Sequence, residues 1–154
     1  MRRRPVRVEL RVDATLRSVR LLAAAARGVL AEWAVPEEKA SLLELALVEA
    51  ATNVVRHAYR GAPGHEIRVR LTRDAGTVVL AVADRGRSFD PSKVPPPPAP
   101  DPADPKTWPE GGMGLALIRA SCDEVTYASE AGENVLSLTL RLPAAGGRER
   151  GGRA

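Results

Sequence analysis

The stretch Leu47-Val48-Glu49-Ala50-Ala51-Thr52-Asn53-Val54-Val55-Arg56-His57-Ala58-Tyr59-Arg60-Gly61 sets three polar residues into an apolar run. Glu49, Asn53 and His57 stand four apart. On a helix, four-residue steps stack side chains on one face. A carboxylate, an amide and an imidazole are therefore expected to project together from a surface that should be buried. Burying such groups costs free energy unless something satisfies them. A bound metal and phosphates would do so. Taken alone, each residue is equally an ordinary capped or solvated position, so the segments on either side have to decide.

On the N-terminal side, Val6, Val8, Leu10 and Val12 alternate with Arg7, Glu9 and Arg11, the period of a half-exposed strand. Asp13 is expected to cap a helix over 14–33, with Leu16, Val19, Leu22, Ala23, Ala26, Val29 and Leu30 on its apolar face. Pro36 suits the first turn of a second helix, and Glu37 and Glu38 suit its dipole. That helix should reach about Tyr59, where Gly61 and Pro63 stop it. On the C-terminal side, 66–72 and 77–83 alternate around the turn Asp74-Ala75-Gly76. Residues 91–109 hold nine prolines and little apolar periodicity, which marks a long functional or disordered loop. A short helix over 115–121 and strands over 124–129 and 135–142 follow. The expected fold is α+β: a two-layer sandwich with one mixed, largely antiparallel sheet covered on one face by helices. A single domain over 1–145 and a disordered Gly/Arg tail over 146–154 complete the expected organisation.

Composition narrows the function. Aromatic residues make up 3% of the 154. The core must therefore rest on Val, Leu, Ile and Ala, and base-stacking platforms for nucleic acid are lacking. The net charge of +4 comes from the ends. Setting aside Arg2, Arg3, Arg4, Arg7, Arg148, Arg150 and Arg153 from the 23 basic residues, and Glu149 from the 19 acidic ones, leaves a body with 16 against 18. Direct nucleic-acid binding is not expected from so neutral a body. Cys122 is the only cysteine, which excludes an internal disulfide and a multi-cysteine zinc site. The apolar stretch 21–26 is hemmed by Arg20 and Arg27, and no run is long enough to span a bilayer. A cytoplasmic protein without membrane contact is the expectation.

Two further motifs follow the first. Asp84-Arg85-Gly86-Arg87-Ser88-Phe89-Asp90-Pro91 ends a strand with an acid and a glycine. An aspartate there can accept from an exocyclic amine, and the glycine lets the chain turn close to a flat ring. Glu110-Gly111-Gly112-Met113-Gly114-Leu115-Ala116-Leu117-Ile118 places small residues at a helix start, where free N–H groups and the dipole favour phosphate. It has neither the glycine spacing of a dinucleotide fingerprint nor the Gly-Lys-Ser/Thr of a P-loop. Together, Glu49-x-x-x-Asn53, Asp84-x-Gly86 and Gly112-x-Gly114-Leu115 resemble the N, G1 and G2 boxes of the Bergerat-fold ATPases and kinases. Within that set the chain is most similar to the anti-sigma regulatory factor serine/threonine kinases, over about residues 6–142.

The resemblance implies ATP and Mg²⁺ as ligands, and it implies roles. Glu49 would be the catalytic general base on a serine hydroxyl, and Asn53 would coordinate Mg²⁺. Asp84 would bond the adenine amine and Gly86 would make room for the ring. Gly112, Met113, Gly114 and Leu115 form the phosphate-side box, with backbone N–H groups of the first three facing phosphate. His57 would assist the phosphate side or pack, and 91–109 would be the ATP lid. The implied partners are a sigma factor and a STAS-type anti-anti-sigma protein, with the chain as a homodimer. There are departures: Ser88 stands where many relatives have a second glycine. The last-strand Gly-Thr near the adenine reads Gly132-Glu133-Asn134. Two other readings stay open at this point: a nucleotide-gated binding module without kinase activity, and a structural domain whose glycines are all turns.

Overall fold

The structure is a computed structural model, and it describes residues 4–88, 103 and 113–143. Most of the proline-rich segment, Gly112 and the Gly/Arg tail lie outside the described residues.

Strand β1 (Val6–Asp13) keeps the alternating exposure that its sequence dictates. Helix α1 (Leu16–Glu32) follows, with Val19, Leu22, Ala23, Ala26 and Leu30 buried at helical spacing. Its cap differs from the expected Asp13. Thr15 is extended and its hydroxyl accepts from the Ser18 amide at 3.1 Å. Asp13 is still paired in the strand, opposite Glu66, so it cannot also open the helix. Helix α2 (Glu37–Asn53) packs against α1, and buries Ala40, Leu43, Ala46, Leu47, Ala50 and Ala51. Arg27 of α1 ties the pair together through Glu37, Glu44 and Ser41 of α2.

Strands β2 (Glu66–Asp74) and β3 (Thr77–Asp84) form the expected hairpin, closed by Ala75 and Gly76, with the Asp74 carboxylate accepting from the Ala75 amide at 2.7 Å. Helix α3 (Met113–Ser121) lies on α2. Strands β4 (Glu124–Glu130) and β5 (Glu133–Arg141) end the described chain. The sheet order is β1-β2-β3-β5-β4, and all four pairings are antiparallel. The largely antiparallel expectation thus resolves, among the described residues, into a wholly antiparallel sheet.

One sheet face carries the core. Ile67, Val69 and Leu71 of β2, Val78, Leu80 and Val82 of β3, and Leu138 and Leu140 of β5 are buried with the apolar faces of α1 and α2. The opposite face runs in register across rows such as Arg70, Ala81 and Ser137. Burying each large aliphatic side chain stabilises the fold by about 1.5–3 kcal/mol. With so few aromatics, that work is spread over many aliphatic residues. Cys122 is a half-buried thiol whose pKa burial pushes up to about 11, so it stays protonated at neutral pH.

Candidate functional site

The end of α2 does not continue as an α-helix. Residues Val54–Ala58 form a π-helical turn, in which the Tyr59 amide donates to the Val54 carbonyl five residues back at 3.0 Å. A wider turn advances the chain less per residue, so four residues no longer return to the same face. The expectation that Glu49, Asn53 and His57 share one buried stripe is therefore corrected. Glu49 and Asn53 remain on α2, one turn apart and half-buried, whereas His57 has swung out to an exposed position.

The π turn brings the Ala58 carbonyl outward, and two groups use it. The Arg87 amide donates to it at 2.9 Å. Gly86 passes so close that a Cβ there would stand 2.6 Å from the same oxygen. Glycine at 86 is thus required by backbone approach. Next to it, Asp84 ends β3 and is buried, 8% exposed. Its Oδ1 accepts from the Gly86 amide at 2.8 Å and from Asn134 Nδ2 at 2.9 Å. Burial pushes the Asp84 carboxyl above its ordinary value, and the bonds from Asn134 and Gly86 pull it partly back.

Tyr59 closes the other side of this corner. Its hydroxyl donates to the Glu66 carbonyl at 2.9 Å and accepts from the Arg85 amide at 2.8 Å. Its ring stacks on His65, with centroids 4.2 Å apart. Two recesses flank the corner. One, of about 240 Å³, is lined by Tyr59, His65, Arg68, Arg85 and Glu133, among others. There Arg68 meets Glu133 at 2.6 Å. The other, of about 520 Å³, is lined by Arg56, His57, Arg60, Arg87 and Ser88, a strongly cationic set.

In the last turns of the same helix, Gly114, from the first turn of α3, sits directly on Glu49 of α2. A Cβ at Gly114 would press into the Glu49 carboxyl, whose Cδ would lie 2.9 Å away. The carboxylate therefore lies against the N-terminal turn of α3. Met113, Gly114 and Leu115 are the first residues of that helix, where N–H groups have no intrahelical partner. Gly112 lies outside the described residues.

The fold thus gathers the expected residues in two groups along α2. Asp84 and Gly86 meet at its C-terminal end, and Glu49 and Gly114 meet one turn before Asn53. The residue that sequence reasoning missed is Asn134. It is 3% exposed, bonds both Asp84 and the Gly86 carbonyl (3.0 Å), and its own Oδ1 accepts from Ser129. The signal was there: Ala131-Gly132 between two alternating runs reads as a two-residue hairpin turn. That turn, with φ of 51° and 76°, sets Asn134 opposite Asp84.

Similarity to known proteins agrees with this geometry. Residues 12–140 match the family described as histidine kinase-like ATPase domain. The serine-protein kinase RsbW of Oceanobacillus iheyensis is 31% identical over 131 residues, 84% of this chain and 83% of that protein. RsbW of Bacillus pumilus is 31% identical over 137 residues, 83% of this chain and 82% of that one. Among solved structures, the RsbU and RsbW domains of Rv1364c from Mycobacterium tuberculosis superpose with a TM-score of 0.64 at 26% identity. That match spans 90% of this chain and 34% of that longer one. The SiaB-SiaC complex from Pseudomonas aeruginosa, at 16% identity and a TM-score of 0.53, shares the fold over 86% of this chain and 89% of that one. A buried aspartate and a close-packed glycine just beyond the C-terminal end of α2, a carboxylate from the last turns of that helix under the first turn of α3, and a match across 12–140 make this chain a member of the histidine kinase-like ATPase domain family.

Proposed function

We propose that the chain is an ATP-dependent protein serine kinase and anti-sigma factor that phosphorylates a STAS-type anti-anti-sigma protein and sequesters a sigma factor. The observation that carries this reading is Glu49. A carboxylate held against Gly114, one turn before Asn53 and beneath a helix N-terminus, is a base beside a phosphate-binding position.

The roles follow from what each group can do. Asp84 accepts from the exocyclic amine of adenine, and Gly86 leaves the ring its space. Gly112, Met113 and Gly114 would offer their backbone N–H groups to the phosphates, and Leu115 completes that phosphate-side box. His57, moved outward by the π turn, stands with Arg56 in the cationic recess and serves the nucleotide or partner from there. The incoming serine gives its hydroxyl proton to Glu49 as its oxygen bonds the γ-phosphorus. The bond from that phosphorus to the bridging oxygen breaks, and ADP leaves with the electron pair. Positioning and charge neutralisation supply most of the rate in such transfers.

Magnesium fits the donor set. Among the described residues no group of three or more His, Cys, Asp and Glu forms a metal cage. Mg²⁺ is commonly held by one or two protein oxygens plus phosphates and waters. Asn53 Oδ1 would hold it, and the ion would neutralise charge on the phosphates. The chain acts as one domain over 1–145, and the homodimer implied by the family belongs to the same proposal. A mass of one protomer by light scattering at micromolar concentration would remove the dimer. No described helix is long and apolar enough to cross a membrane.

The test is Glu49→Gln, incubated with labelled ATP and a STAS-domain protein from the same genome. The variant should keep the thermal shift given by ATP and lose transfer by at least a hundredfold, in line with removal of a general base. Undiminished transfer would remove Glu49 from its role. ATP binding without transfer by the wild type to any such protein would favour the nucleotide-gated binding module instead.

A further inference from the structure

We infer that Asn134 is the positioning residue that sets the adenine selectivity of this site, acting through Asp84; the inference rests on the ATP reading above. An asparagine amide has two N–H donors and one carbonyl acceptor. Here all are committed. Nδ2 donates to Asp84 Oδ1 at 2.9 Å and to the Gly86 carbonyl at 3.0 Å, and Oδ1 accepts from Ser129 Oγ at 2.8 Å. The Gly86 carbonyl can only accept, and that fixes which end of the amide carries the donors. Both donors of Asn134 are therefore spent within the protein, and it works by holding others.

What it holds is one side of a carboxylate. Asp84 Oδ1 takes both the Asn134 donor and the Gly86 amide. Among the described residues no hydrogen bond reaches Oδ2. One oxygen is thus pinned and the other is left as a directed acceptor. An exocyclic amine satisfies such an acceptor, and a carbonyl at the same ring position would face it lone pair to lone pair. The same Nδ2 also holds the Gly86 carbonyl, so the aspartate and the glycine turn keep one mutual distance. Burial disfavours the charged form of Asp84, and the charge-assisted bond from Asn134 restores it.

Two variants and two nucleotides test the idea in the full chain. The nucleotides are ATP and purine riboside triphosphate, which lacks the exocyclic amine. In Asn134→Leu, ATP affinity should fall about tenfold, the scale of one charge-assisted hydrogen bond, while affinity for the amine-free analogue stays within twofold. In Asn134→Asp, Ser129 keeps its acceptor but two carboxylates face each other. Such a pair shares a proton readily. ATP affinity of this variant should be weakest near pH 9 and rise on acidification toward pH 6, as the shared proton rebuilds the donor. The wild type should show no such rise on acidification. Equal losses for both nucleotides, or unchanged ATP affinity in a folded Asn134→Leu, would overturn the positioning role. A wild type that binds both nucleotides equally would overturn the adenine role of Asp84 itself, and this inference with it.

Discussion

Asp84 shows how a single residue trades stability for recognition. Burial raises its folded pKa above the unfolded value, so the folded chain binds that proton more tightly than the unfolded chain does. By linkage, stability is lost as pH rises through the raised value, and at neutral pH the ionised carboxylate is a burden on the empty protein. Asp84→Asn keeps an oxygen for Gly86 and Asn134 and removes the charge. Its melting temperature without nucleotide should therefore rise at pH 7.5, and ATP should no longer shift it. A lower melting temperature would show that the carboxylate stabilises the empty site. Much of this corner was legible in the sequence, because Asp84 and Gly86 stand two residues apart in the chain and their meaning is local. Asn134 was not, since its role depends on strand pairing between residues 50 positions apart.

Elements read well where one period runs unbroken. The alternation of β1 and the apolar spacing of α1 are reproduced almost residue for residue. The π turn was not readable, because a pattern of four-residue steps presupposes the α-helical advance that the turn abandons. The cap of α1 moved by two residues for a similar reason: Asp13 and Thr15 are both good caps, and strand pairing decided between them. The glycine contacts give a prediction at this scale. Gly86→Ala would force a methyl onto the Ala58 carbonyl, and Gly114→Ala would force one onto Glu49. Each should cost about 1–3 kcal/mol by overpacking, read as a lower urea midpoint at unchanged slope. Gly114→Ala should also displace Glu49 and slow transfer, whereas Gly28→Ala, with open space at its Cβ, should be silent on both. An unchanged midpoint for Gly86→Ala would mean that the π turn yields without cost.

At the scale of the whole molecule, nucleotide should behave as a structural member. ATP at a hundred times its dissociation constant should add about 2.7 kcal/mol. For a chain of this size that is a rise in melting temperature of several degrees. Calorimetry with ATP and Mg²⁺ measures it directly, and a null shift at millimolar nucleotide would remove ATP as the ligand. The layered α+β architecture was legible from the order of periods along the chain. The position of β5 between β3 and β4 was not, because nothing in a single strand's pattern names its neighbours. Yet that placement is what puts Asn134 across from Asp84.

The sheet face away from the helices has a different consequence. Its middle rows pair Val79 with Thr139, Ala81 with Ser137 and Ala83 with Val135, short side chains that contribute little to the core. The same strands, one residue out of phase, carry Leu80, Val82 and Leu138, which the core cannot spare. Odd and even positions of one strand thus carry unlike physical burdens. Replacing Val79, Thr139, Ala81 or Ser137 by another residue of similar size should disturb the fold far less than replacing Leu80, Val82 or Leu138. The sheet can therefore change its outer face without unseating the corner at Asp84.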